Sequence, residues 1–108
     1  YLIADNACAH QFVIGSKLND IWKSIDLSKH HVELKVKKGK KETGIGRNVL
    51  GDPRIALTWL VNELSKNNIT LQAGEFVTTG TCTIPLPVKK GDFIIADYGK
   101  LGKLELQL

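Results

Sequence analysis

The sequence contains no methionine. A translated chain begins with Met, and removal of that Met normally requires a small second residue, whereas residue 1 is Tyr. Tyr1-Leu2-Ile3-Ala4 also reads as the middle of an apolar element rather than a fraying terminus, so polypeptide upstream is expected. Cysteine is nearly absent. Cys8 and Cys82 are the only two, too few for a disulfide scaffold. Spacing does not decide whether they pair, and with no other mark of secretion the expected state is reduced, in the cytoplasm. There is no CxxC, no HExxH and no Cys/His cluster at zinc spacing. No apolar run approaches the roughly 20 residues of a membrane helix, and no basic-then-apolar leader is visible. Neither a membrane nor a secretory role is expected.

The composition, 43% hydrophobic and 24% charged, is that of an ordinary globular domain, and 108 residues accommodate one domain. The net charge of +4 is concentrated in Lys35, Lys37, Lys38, Lys40 and Lys41 around Gly39. A nucleic-acid surface would interleave such a patch with aromatics or set it on a recognition helix. This one does neither, which favours a solvated hairpin tip and no nucleic-acid partner. A contact patch of a non-catalytic assembly domain is the competing reading.

His31–Lys37 alternates polar and apolar residues as a half-buried strand does, and Lys41-Glu42-Thr43 can return as its partner across Gly39. Gly44–Gly51 is a glycine-punctuated loop. Asp52 then suits a helix N-cap and Pro53 the first helical position. Ile55, Ala56, Trp59, Leu60, Val61 and Leu64 recur at three- and four-residue steps, which predicts a helix that covers a sheet with Trp59 in the core. Asn67-Asn68 can end it. Phe76–Thr79 is β-prone up to Gly80, and Pro85 and Pro87 make residues 84–88 extended but unfit for a central strand. Phe93–Ala96 and the alternating Leu104, Leu106 and Leu108 give two more strands. The expected class is α+β: β-rich, a mostly antiparallel mixed sheet packed against one main helix.

Three constellations can carry chemistry. Asp5-Asn6-Ala7-Cys8 follows an apolar run and can orient a ligand at a strand end, or simply form an Asx-turn. Thr78-Thr79-Gly80-Thr81-Cys82 offers hydroxyl and N–H donors around a glycine that permits close backbone approach, or is a plain bend. Arg47 and Asn48 can grip a carboxylate, though the Gly44-x-Gly46 pair lacks the third glycine and the strand–helix–strand setting of a dinucleotide fingerprint, and a connecting loop is the alternative. His10, His30 and His31 lack triad or metal spacing. His30 and His31 read as surface residues, and His10 is the one histidine near a candidate site.

Ile3-Ala4-Asp5-Asn6-Ala7, Phe12-Val13-Ile14-Gly15, Gly44-x-Gly46-x-Asn48-Val49-Leu50-Gly51-Asp52-Pro53, Trp59-Leu60-x-Asn62, Leu71-x-Ala73-Gly74, Thr79-Gly80-Thr81, Gly91-Asp92 and Gly99-x-Leu101-Gly102 occur in that order. This series resembles the end of the 2-keto-4-pentenoate hydratases, which belong with the 4-oxalocrotonate decarboxylases to the fumarylacetoacetate hydrolase superfamily. The resemblance implies that residues 1–108 are the carboxyl-terminal portion of a hydratase-like catalytic domain whose amino-terminal portion is absent. It implies a lyase of aromatic catabolism, homo-oligomeric when complete, that hydrates a 2-hydroxy-2,4-dienoate. Decarboxylation of a 2-oxo diacid and C–C hydrolysis of an acylpyruvate are the related alternatives. It implies a divalent cation, magnesium or manganese, that holds the carboxylate and keto oxygens of the 2-oxo acid. The cation's acidic ligands and the base lysine of the family precede the Ile3–Asn6 motif, so the catalytic groups are expected upstream and no metal is expected on this chain alone. What carries over is a substrate wall: Asp5, Asn6, Cys8, Thr79, Gly80 and Thr81. Many relatives have Ser at the position of Cys8, and some replace the second Thr of the Thr-Gly-Thr turn.

Overall fold

A computed structural model describes residues 10–108. Its organising element is a four-stranded sheet of β1 (His31–Val36), β2 (Lys41–Ile45), β3 (Phe93–Asp97) and β4 (Lys103–Gln107), in the order β2-β1-β3-β4. All three pairings among the described residues are antiparallel, and with one main helix beside the sheet the chain is of the expected α+β class. The β1–β2 hairpin turns through Lys37–Lys40: Lys38 takes a φ of 64°, and the Val36 N–H donates to the Lys40 carbonyl at 2.9 Å.

Register sorts the side chains. Val32 stands opposite Gly44, Leu34 opposite Ala96, Val36 opposite Ile94, and Ala96 and Ile94 opposite Leu104 and Leu106. These residues share one sheet face, because pairing partners project to the same side. The other face carries Glu33, Lys35, Lys41, Asp97, Lys103 and Glu105, in ion pairs such as Lys41–Glu33 at 3.1 Å and Lys103–Asp97 at 3.2 Å.

The apolar face is covered by irregular chain. Gly15 lies against the Leu104 side chain, its nearest approach to a built Cβ being 3.2 Å, while Leu18 borders Gly102. Phe12 meets Phe76 edge-on with ring centroids 6.4 Å apart, tying this strap to residues 76–84. The stretch Phe76–Thr79, expected as a strand, joins no ladder among the described residues. It crosses above the sheet instead of pairing at its edge, and Gly80, at φ 125°, turns it out of extended geometry.

Helix α1 (Pro53–Lys66) starts where expected: the Asp52 carboxylate accepts from the Arg54 N–H at 2.8 Å, and Pro53 opens the first turn. It ends at Asn67, with Asn68 left-handed at φ 57° and the Ile69 N–H donating to the Leu64 carbonyl at 3.0 Å. The face that touches the rest of the chain is Ala56, Leu60 and Leu64, all half-buried, and its principal neighbour is the short 3-10 turn Leu27–Lys29 that leads into β1. Trp59 is not a core residue. It is 61% exposed, as its helical neighbour Ile55 is 55% exposed, because the apolar stripe is wider than the surface the Leu27–Lys29 turn offers.

His30, expected on the surface, is half-buried. Its Nε2 lies 2.6 Å from the Tyr98 carbonyl oxygen. A carbonyl only accepts, so Nε2 carries the proton, and the imidazole pins the β3–β4 connection to the start of β1. His31 is exposed.

Candidate substrate wall

The two glycines before Arg47 explain why residues 79–83 lie where they do. Gly44 is buried in β2, and a Cβ there would overlap the Cys82 carbonyl and fall 2.8 Å from the Thr83 methyl. The Cys82–Thr83 backbone therefore rests directly on the sheet. Gly46 admits the Leu27 carbonyl in the same way, and its own N–H donates to the His30 carbonyl at 2.9 Å. The Gly44-x-Gly46 pair is thus a close-packing device.

Above the sheet this leaves a cavity of about 470 Å³. Thr79, Gly80 and Thr81 form one wall, Leu34 and Ala96 the floor, and Phe12 a side. Val32, Cys82 and Tyr98 also border it. A mostly apolar pocket with a few convergent polar groups is the usual form of a small-molecule site. Thr81 Oγ1 donates to the Thr83 carbonyl at 2.8 Å and accepts from the Thr83 N–H at 3.3 Å, so its hydroxyl is committed to the shape of the turn. Thr79 and Gly80 border the cavity beside it. Cys82 is half-buried and has no disulfide partner among the described residues, and desolvation raises the pKa of its thiol, which favours the thiol over the thiolate.

Of the residues expected at the substrate wall, the structure brings Thr79, Gly80 and Thr81 to one cavity. Asp5, Asn6 and Cys8 lie outside the described residues. His10 is exposed. Asn48 faces the protein: its Nδ2 donates to the Cys82 carbonyl at 2.8 Å. The lysine patch is partly committed as well, since Lys35 and Lys41 flank Glu33 at 3.6 and 3.1 Å and Lys37 Nζ lies 5.3 Å from the Phe93 ring centroid. Sequence reasoning missed the floor. Leu34 and Ala96 carry no chemical signal, and only the strand register shows that they meet.

Among the described residues, no group of three or more His, Cys, Asp or Glu side chains converges to hold a metal ion. No described helix is long and apolar enough to cross a membrane.

The fold has a close counterpart among solved structures. The structure of a 4-oxalocrotonate decarboxylase from Pseudomonas putida G7, complexed with calcium and acetate, superposes with a TM-score of 0.84 at 32% identity, over 98% of this chain and 40% of that one. In sequence, 2-keto-4-pentenoate hydratase 1 of Dechloromonas aromatica (strain RCB) is 34% identical over 105 residues, 94% of this chain and 38% of its own. The 4-oxalocrotonate decarboxylase of Pseudomonas sp. (strain CF600) is 32% identical over 97 residues, 90% of this chain and 36% of its own. The 2-oxo-hept-4-ene-1,7-dioate hydratase of Escherichia coli is 38% identical over 64 residues, 59% and 24% respectively. No protein-family model matches the chain. The chain belongs to this group of 2-keto-4-pentenoate hydratases and 4-oxalocrotonate decarboxylases, and it spans between 24% and 40% of the length of these relatives.

Proposed function

We propose that this chain supplies part of the substrate-binding wall of a metal-dependent hydratase that adds water to a 2-hydroxy-2,4-dienoate. The observation that carries the reading is the Thr79-Gly80-Thr81 turn facing an apolar-floored cavity of about 470 Å³. On this reading the Thr79 hydroxyl and the turn's N–H groups donate to the carboxylate end of the acid, while Phe12, Leu34 and Ala96 exclude water from its hydrocarbon part. Asp5, Asn6 and Cys8 complete the wall. The cation, magnesium or manganese, supplies an electrophile for the 2-oxo acid and is held by groups of the complete enzyme beyond the described residues. A structural relative whose bound ligands are calcium and acetate, a divalent cation and a carboxylate, supports this division of labour.

Decarboxylation of a 2-oxo diacid is the second reading, favoured by the decarboxylases among the relatives. Both reactions bind the pyruvoyl end alike and differ at the distal end. The test is to give the complete enzyme, with magnesium or manganese, 2-hydroxypenta-2,4-dienoate and 4-oxalocrotonate in parallel. Hydration is expected to dominate. Release of carbon dioxide with the greater kcat/KM would establish the second reading, and inertness toward both would overturn the enzymatic proposal.

A further inference from the structure

β2 and the stretch that follows it grip the cavity-lining turn at three points. Gly44 lets the Cys82 carbonyl rest on β2. Val49, only 4% exposed, backs Gly80, where a Cβ would come within 3.2 Å of Val49 Cγ1. Asn48 Nδ2 donates to the Cys82 carbonyl at 2.8 Å. Close approach and packing set how far the turn stands from the sheet, and neither is directional. The hydrogen bond is directional, and it constrains the rotation of the Cys82 peptide at the end of the turn that carries Thr79–Thr81. Asn48 borders neither the floor nor the wall of the cavity, so any influence on a ligand passes through the turn. Resting on the reading of that turn as a carboxylate wall, we propose that Asn48 is a positioning residue for 2-oxo acid binding, aligning the Thr79-Gly80-Thr81 donors through its bond to the Cys82 carbonyl.

The test uses the complete enzyme and pyruvate, the smallest 2-oxo acid, as the binding probe. Asn48→Asp keeps the side-chain size but turns the donor into an acceptor facing another acceptor. Its pyruvate Kd and its KM for the dienoate are expected to weaken about tenfold, as for one net hydrogen bond, with kcat changed far less. Amide exchange at residues 79–83 should quicken, while Tm stays within a few degrees because Asn48 is exposed. Asn48→Gln, with room in solvent for one more methylene, should restore most of the affinity. If Asn48→Asp does not fold, Asn48→Ser, whose hydroxyl is too short to span the gap, carries the same comparison. Thr79→Val runs alongside as a change in the wall itself. Weaker pyruvate binding in Thr79→Val with normal binding in Asn48→Asp would overturn the positioning role and leave the wall standing. Unchanged binding in both would overturn the wall and the positioning role with it. A fall in Tm that tracks the loss of affinity and is not repaired by Gln would make Asn48 merely structural.

Discussion

Gly44 and Asp52 bracket one short connector and act through different physics. At Gly44 the constraint is space: any side chain meets the Cys82 carbonyl, a backbone group that cannot swing aside. Gly44→Ala is therefore expected to destabilise the protein by roughly 1–3 kcal/mol, the range for forced overpacking, measured by urea unfolding. A cost near zero would mean that residues 82–83 do not rest on β2. At Asp52 the constraint is charge. The Arg54 guanidinium, with the Arg54 N–H behind it, holds this carboxyl below the usual range. Asp26 is lowered by the Ser28 hydroxyl, Glu33 by Lys41 and Asp97 by the Gly99 N–H. Folded values below unfolded ones stabilise the fold fully above the unfolded values, about 4 for carboxyls. That contribution is lost as pH falls through the lowered folded values. Stability should thus be flat with respect to these groups at neutral pH and decline below about pH 4. In Asp52→Asn the acid limb should be shallower, and an identical limb would show that the Arg54 pairing contributes nothing.

At the scale of elements, helix α1 separates what local sequence encodes from what it does not. Its start follows from Asp52 and Pro53 and its end from Asn67-Asn68, all within a few residues of the positions they cap, so both were legible. The β1–β2 hairpin was legible for the same reason. What periodicity cannot encode is the partner of a face. The stripe containing Trp59 and Leu60 is continuous in sequence, yet Leu60 is half-buried and Trp59 is 61% exposed. Leu60→Ala should accordingly cost more stability than Trp59→Ala in denaturant melts of this chain, reversing the order that residue size suggests. A larger loss at Trp59 would mean that its indole is covered in solution. Residues 76–79 show the same limit, because β propensity reports fit to a pleated surface, not the presence of a neighbouring strand. The candidate wall was legible in part. Thr79-Gly80-Thr81 announced itself by hydroxyls around a glycine, whereas Asn48 read as a group able to grip a carboxylate directly. Its partner Cys82 lies 34 positions away, and only the fold brings them together.

At the scale of the whole molecule, the chain is open. It exposes 8779 Å², where a compact monomer of this size exposes about 5,900 Å². Its radius of gyration is 15.2 Å, against about 13 Å for a compact domain. Among the described residues Val49 and Leu86 are the buried large apolar ones, while Phe12, Ile55, Trp59, Phe76 and Ile84 are each more than half exposed. Apolar area on this scale is a liability in water unless something covers it. A polypeptide of these 108 residues is therefore expected to bind a hydrophobic dye strongly and to sediment with a concentration-dependent mass. Replacing Ile55 and Trp59 with Lys should reduce both effects without loss of helix signal, since both side chains are more than half exposed. Its urea m-value should also be smaller than that of a compact domain of equal length, because m scales with the surface newly exposed on unfolding and much of that surface is exposed already. A dye-silent monomer with an ordinary m-value would mean that the straps over the sheet and the outer face of α1 close onto one another in solution.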